Sequence, residues 1–503
     1  MRRVVLGVGA VVALAGIAGI SACGVGTDCD FGLCAGPPAG VDGDGGPGQD
    51  GDAPDAAKPE KCDDKADPTS DAAKECVVDS FALFVDGDAG DDANDGSKAK
   101  PFKRITTALA KVGSTGKRRI YICGSGTYAE HLKMTTAANL HGGFACSTWA
   151  ADAAAKPKVA PTDPGYALHI DNVSAAVTVS DLELAAADAA SLKDGTSSIA
   201  VFANKANVTF LRAALRASNG AEGAPGEAGK QGEVTSQGGL DGNTGNGATG
   251  GGLKQCTCSS SATVTKGGAG GTQTPGNSGE PNYGGMPPNN GAGGAFGGGS
   301  CSGDSLGKNG ADAPAAKDAT PPTGLGVLGP DGWQSSKGAD ATENGKPGQG
   351  GGGGGAFDAT SGGGGGGCGG CGGFAGKGSS GGGASIALVA NDSVVTLTAS
   401  VLEAKSAGAG GTAGAGGAGV AGGKPGTGLC LGGKGGRGAD GGAGAGGAGG
   451  VAGGILYKGT EPTVDGETTI VPGKEGAGGK GGKSPGNDGP IGVAGKTLDA
   501  TKL

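Results

Sequence analysis

The sequence predicts an all-β fold built as a short parallel β-helix, and three observations carry that expectation. The first is a repeated motif. The stretch IAVFANKANVTFLRAALRAS (199–218) has a looser copy upstream, LHIDNVSAAVTVSDLELAAA (168–187), and a close one far downstream, IALVANDSVVTLTASVLEAK (386–405). Aligned on their cores, Val177, Val208 and Val395 share one column and Thr178, Thr209 and Thr396 the next. Val179, Phe210 and Leu397 follow, with Leu184, Leu215 and Leu402 five residues on. The second observation is the period. Each copy alternates apolar and polar residues over short runs broken by polar corners, which is strand patterning rather than helical patterning. The third is that such a unit is too small to bury its own apolar face, so repetition implies stacked coils. The third copy starts 187 residues after the second, and most of the interval is glycine. One coil is therefore expected to be interrupted by a very large insertion.

Composition limits what else the chain holds. Its 503 residues include 120 Gly and 25 Pro and only 3% aromatics, which leaves little material for a core outside the coils. The net charge of −9, with no basic aromatic-interleaved patch, argues against nucleic acid as a partner.

Residues 1–23 read as an export signal: Arg2 and Arg3, then an apolar Gly/Ala-rich run over 4–20, then Ile20-Ser21-Ala22-Cys23. The closing tetrapeptide resembles a bacterial lipobox, which implies that Cys23 is lipidated and becomes the mature N-terminus. Gly24 rather than Asp follows it, which by resemblance to known sorting rules implies an outer-membrane address. Residues 24–80 show no hydrophobic period and read as a flexible acidic tether. Its aspartates do not make an EF-hand loop, since counting from Asp42 puts Gly46 at position five and Ala53 at position twelve.

Twelve cysteines remain once Cys23 is set aside: Cys29, Cys34, Cys62, Cys76, Cys123, Cys146, Cys256, Cys258, Cys301, Cys368, Cys371 and Cys430. An even number in an exported chain with a thin core predicts a disulfide framework. Cys62–Cys76 and Cys123–Cys146 are the economical local pairs. Cys368-Gly-Gly-Cys371 has metal or redox spacing, but no second pair lies beside it and no helix N-terminus supports a thiolate, so a structural disulfide is expected.

Ordered structure is expected from residue 81, with 81–218 forming the first part of the solenoid. A strand, an Asp/Gly loop and an amphipathic helix over about 105–112 come first, with Ile105, Leu109 and Val112 on one face. Phe84-Val85, the Asp/Gly-rich run to Asn94-Asp95-Gly96, Lys100-Pro101-Phe102, Ile105 and Ala108 resemble the opening signature of a right-handed β-helix domain of unknown function. Ile120 to Cys123, Gly126-Thr127-Tyr128 and Glu130 resemble its first coil. Leu140-His141-Gly142-Gly143-Phe144 with Trp149 and Val159-Ala160-Pro161 resembles the version found in glycine-rich, PGRS-like surface lipoproteins of myxobacteria. The resemblance implies a right-handed solenoid whose early helix covers its open end, and it implies no assigned chemistry. About four coils are expected in all.

Residues 219–384 form the insertion, 385–405 the expected last coil, and 406–503 a glycine-rich C-terminal region. Glycine recurs every third position at Gly220, Gly223, Gly226, Gly229 and Gly232, and again at Gly408, Gly411, Gly414 and Gly417. The proline content is too low for a collagen triple helix. Two readings remain: extended threefold helices packed side by side, or flexible coil.

Motifs that suggest chemistry are weak. The G-x-G-x-x-G matches follow from composition, and 477–484 (AGGKGGKS) lacks the first glycine of a phosphate loop. His131, His141 and His169 have no metal spacing, so no metal and no cofactor are expected. Glycosidases and polysaccharide lyases need converging carboxylates or an acidic cluster with a base. The repeats offer only Asp181 over Arg212, and Arg216 in the column of Glu403, which read as cross-strand pairs. The expectation is a cell-surface lipoprotein with a structural, adhesion or matrix-contact role and no catalytic residues. A polysaccharide-binding module or a degenerate β-helix lyase is the alternative. The partners expected are the membrane, through the lipid, and extracellular polysaccharide or neighbouring surface proteins.

Overall fold

A computed structural model describes residues 62–63, 66–124, 126–283 and 290–503. The chain divides into Met1–Pro54 and Asp55–Leu503, and all described residues belong to the second unit. The signal segment with Cys23, and Cys29 and Cys34, lie outside the described residues.

Three parallel sheets organise the chain. The first sheet has seven strands in chain order: Ala82–Asp86, Arg119–Cys123, Asn139–Phe144, Val177–Ser180, Asn207–Leu211, Val394–Thr398 and Thr463–Val464. The second stacks Thr127–Tyr128, Lys158–Val159, Glu183–Ala185, Ala214–Arg216, Val401–Glu403 and Thr469–Val471. The third stacks Leu132–Met134, Leu168–Asp171, Ser198–Asn204, Ser385–Asn391, Ala452–Lys458 and Ala494–Asp499. From Arg119 onward the chain visits the sheets in rotation, giving six rounds rather than about four. Segment 385–405 is therefore not the last round, because 452–471 repeats it and Ala494–Asp499 adds a further strand.

The repeat columns are the pairing register. Val177, Val208 and Val395 are direct neighbours, as are Leu184, Leu215 and Leu402. Across the insertion, Ile199 lies beside Ile386 and Arg216 beside Glu403. Alternate residues, among them Val179, Phe210, Leu397, Val201 and Leu388, point into a continuous apolar core. The polar corners are left-handed bends. Asn172, Lys205 and Asp392 turn the chain from third sheet to first, and Asp181, Arg212 and Ala399 from first to second, all with φ between 47 and 56°. At the first corner an amide ladder runs up the stack, Asn391 Nδ2 donating to Asn204 Oδ1 (2.8 Å) and Asn204 Nδ2 to Asp171 Oδ1 (2.9 Å).

One α-helix, Ile105–Thr115, packs Ile105, Ala108 and Val112 against the first strands of the stack. Its N-terminus has no local side-chain cap. Instead, the Glu130 carboxylate accepts from the backbone N–H groups of Ile105 and Thr106 at 3.1 and 3.0 Å.

The glycine-rich segments are packed, and their hydrogen bonds have period three. In 406–417 the N–H groups of Gly408, Gly411, Gly414 and Gly417 donate to the carbonyls of Gly383, Ser380, Lys377 and Phe374. Those of Ala407, Gly410 and Ala413 donate to Lys474, Ala477 and Lys480, while the carbonyls of Ser406, Ala409, Thr412 and Ala415 accept from Gly220, Gly223, Gly226 and Gly229. Successive residues thus bond to different neighbours, as threefold extended chains do when packed side by side. Glycine is required because a Cβ on Gly408, Gly414 or Gly417 would lie 1.7–1.9 Å from a neighbouring carbonyl oxygen.

Five disulfides join the described cysteines. Cys62–Cys76 and Cys123–Cys146 are the local pairs expected. Cys368 and Cys371 do not close on each other or bind metal. They bond Cys256 and Cys258, and Cys301 bonds Cys430, so all three bridges cross more than 110 residues within the glycine array. Long closed loops give the largest restriction of the unfolded chain. Part of the expected tether is also ordered. Lys74–Cys76 form a 3-10 turn, and Cys62, Ala73, Cys76 and Phe81 make a small apolar cluster.

Two alanine substitutions should separate array packing from glycine's general flexibility. Gly414→Ala should destabilise by about 1–3 kcal/mol through overlap with the Glu227 carbonyl. Gly113→Ala, on an exposed helical turn with open space around it, should stabilise by about 0.5–1 kcal/mol. Urea unfolding under oxidising conditions measures both, and equal effects would contradict a packed array.

Candidate functional site

The outward columns of the first sheet concentrate the polar chemistry. Pairing places Arg119, Asn139, Thr178, Thr209, Thr396 and Thr463 in one column, and Tyr121, His141, Ser180, Leu211 and Thr398 in the next but one. The upstream end of this face is sealed by aromatic packing, with Trp149 edge-on to Phe84 at 4.8 Å and Phe144 against Tyr121 at 5.1 Å. Residues 62–63 and 66–69 lie over this face. Arg119 is fully buried there, donating through Nη2 to the carbonyls of Asp63 (2.8 Å) and Ala66 (2.5 Å) and through Nη1 to the Tyr121 hydroxyl (3.3 Å).

Asp181 and Arg212 meet as the register requires, one turn apart. Arg212 grips both Asp181 oxygens, Nε to Oδ1 at 2.8 Å and Nη2 to Oδ2 at 2.7 Å. The same guanidinium reaches Asp67 at 2.9 Å and Thr69 Oγ1 at 2.9 Å, so the corner becomes a clamp on the leading segment. Burial pushes the Asp67 carboxyl up, but hydrogen bonds from Arg212 and Thr69 outweigh it and hold the group below its usual range. The bond to Asp181, and after it Asp67, raises Arg212 above its ordinary value despite its own partial burial. Arg216 bonds Glu403 and lies 3.7 Å from Glu183, which also pairs with Lys158 at 3.1 Å.

The three histidines do not converge. His131 bonds the Tyr166 carbonyl at 2.8 Å and lies 3.3 Å from Asp163, and His169 stacks on Phe202 with centroids 5.0 Å apart. His141, 2% exposed, shares a 2.8 Å hydrogen bond between Nδ1 and Ser180 Oγ, while its Nε2 has no partner among the described residues. Burial, then the positive charge of Arg119, pushes its pKa down to about 3, so it is neutral. His141 lines a groove of about 510 Å³ with Asp67, Asn139, Thr178 and Thr209, walled by Ala176 and Leu211. Sequence reasoning singled out His141, Asp181 and Arg212 but not Asp67 or Thr69. The cue was the Asp-Pro-Thr-Ser turn, in which Asp67 Oδ1 accepts from the Thr69 N–H and hydroxyl.

Among the described residues, the one group with metal-ligand proximity is Asp86, Cys123 and Cys146, and both sulfurs there are spent on their disulfide. Comparison with known proteins finds no matching family, no curated relative and no similar solved structure.

Two outcomes follow from these contacts. Asp181→Ala leaves a half-buried guanidinium short of its main partner and should cost about 2 kcal/mol in urea unfolding. His141 is neutral in the fold but protonates in the unfolded chain below its ordinary value of 6.5, so folding binds fewer protons and stability falls with pH. Wild type should lose roughly 2 kcal/mol from this group between pH 7 and pH 5, and His141→Gln should flatten that part of the profile. Asp67, also depressed, adds a loss only as pH falls below its model-peptide value of 3.8.

Proposed function

We propose that this chain is a bacterial cell-surface lipoprotein, lipidated at Cys23 and held at the outer membrane. In this reading its stacked rounds form a right-handed parallel β-helix displaying a rigid glycine array in a structural, adhesion or matrix-contact role. The observation that carries the reading is the array itself. Its backbones are bonded to different neighbours in turn, leave no room for a Cβ at the contact positions, and are crossed by three long-range disulfides. Such bridges persist outside the cytoplasm, which agrees with the export signal read in residues 1–23. Right-handedness follows the general preference of parallel crossover connections.

A scaffold is favoured over a hydrolase or lyase by how the charged groups are used. Both oxygens of Asp181 accept from Arg212, and the Arg216–Glu403 pair is likewise closed. Acid–base catalysis needs titratable groups convergent and pushed apart in pKa. The polar groove on the first sheet keeps polysaccharide binding, the second reading, in play.

The anchoring reading is tested with Cys23→Ser in the native host. Unprocessed precursor should accumulate, and the mature protein should leave the outer-membrane fraction. Protease added to intact cells should digest wild type. Normal maturation of the variant, or protection of wild type from added protease, would count against the proposal.

A further inference from the structure

We propose that the groove on the outer face of the first sheet binds a neutral polysaccharide strand lying along the stack, across successive rounds. This deepens the matrix-contact reading by naming a partner class, and rests on that reading only for where the protein is displayed.

The groove leaves few polar groups available to a ligand. Its arginines already point at fixed protein acceptors. Arg119 is held by two backbone carbonyls and Tyr121, and Arg212 by Asp181, Asp67 and Thr69. Arg118, at the rim, turns Nε and Nη2 to the carbonyls of Ala137 and Ala176. An anionic ligand would need convergent free cations, which the described residues of this surface do not offer.

Apart from Arg119 Nε, a fully buried donor without a partner among the described residues, what remains is neutral and both donates and accepts. Nε2 of His141 is buried without a partner among the described residues, in a ring that burial keeps uncharged. The hydroxyls of Thr178 and Thr209 also have no protein partner among the described residues, although both side chains line the groove. A ligand hydroxyl satisfies either tautomer of a neutral imidazole and either orientation of a threonine hydroxyl. A carboxylate or phosphate group can only accept. Ala176 and Leu211 supply apolar wall for the C–H faces of a sugar ring.

The geometry selects a linear polymer. The threonine column continues beyond the groove from Thr209 to Thr396 and Thr463, one residue per round. Parallel strands repeat every 4.8 Å or so, and a ligand laid along the stack would therefore meet a hydroxyl at each step. The other end is blocked by Phe144 and Trp149 packed on Tyr121 and Phe84, and by the clamped segment around Asp67. The groove is thus closed upstream and open downstream.

The test uses the detergent-solubilised full chain and calorimetric titration with cellohexaose, laminarihexaose and maltohexaose, with dextran sulfate as the anionic comparator. At least one neutral hexaose should bind. The double variant Thr178→Val/Thr209→Val, which keeps side-chain shape and strand preference, should weaken it about tenfold or more. Thr209→Ser should retain affinity within about twofold, and Thr412→Val, exposed on the glycine array, should change nothing. Unchanged thermal unfolding of the variants establishes that the fold is intact, and if the double variant unfolds, Thr209→Val alone against Thr209→Ser decides. Absence of binding to every neutral hexaose, binding of dextran sulfate alone, or binding indifferent to loss of the hydroxyls would each overturn the site. Because the measurement needs neither cells nor lipid, its failure is separable from failure of the surface assignment.

Discussion

The structure depends on one register of backbone hydrogen bonds that does not stop where the sheet stops. Ala214–Arg216 pairs residue by residue with Val401–Glu403 in the second sheet. The same two segments then run on together, Ala217 N–H to the Glu403 carbonyl, Gly220 to Ser406, Gly223 to Ala409 and Gly226 to Thr412. A strand has become a threefold extended chain without losing its partner. That continuity is possible only where side chains are absent from the contact edge, because a Cβ on Gly223 would fall 2.2 Å from a carbonyl oxygen. Glycine at every third position is the chemical condition for prolonging stacked parallel strands sideways into a backbone-packed array.

A second consequence concerns where the chain can afford to leave the stack. The insertion departs between second and third sheets, and so do 404–451 and 472–493. Excursions from one corner in successive rounds emerge beside one another, so they can bond rather than hang as separate loops. Without mutual packing the backbone entropy of such glycine runs would favour coil. Packing and the three bridges within the array oppose that entropy together, one by enthalpy in the fold and the other by restricting the unfolded chain. The first sheet is left uncovered by the array. Among the described residues, its outer face is covered in part by an aromatic cluster and by a leading segment clamped through Arg119 and Arg212. That leaves a neutral, hydroxyl-lined groove where ligand contact is chemically reasonable.

Legibility in the sequence followed the strength of the side-chain pattern. The columns through Val208, Thr209 and Leu215 were readable because alternating burial imposes a period of two. The round at 452–471 was not. Gly453 and Gly454 stand where apolar residues would be expected, and the Ile470 side chain from the next sheet fills the space, its Cγ2 only 2.1 Å from where a Gly454 Cβ would lie. The segment 66–69 was read as tether because its role rests on charges and carbonyls meeting distant arginines, which leaves no local period. Cys368 and Cys371 suggested a local motif, yet their partners Cys256 and Cys258 are reached only after the array has folded back on itself.

By itself the sequence determined that short strands stack in register, which residues form the core columns, and that Asp181 meets Arg212 and Arg216 meets Glu403. These are properties of neighbouring repeats, and side-chain alternation encodes them directly. Only the tertiary structure decided that the glycine runs are packed rather than coiled, that three bridges cross them, and that His141 is left with an unpartnered nitrogen in a groove. A glycine run has the same local sequence whether or not it is packed. What distinguishes the two states is the approach of backbones more than a hundred residues apart, and no local pattern in the chain records that approach.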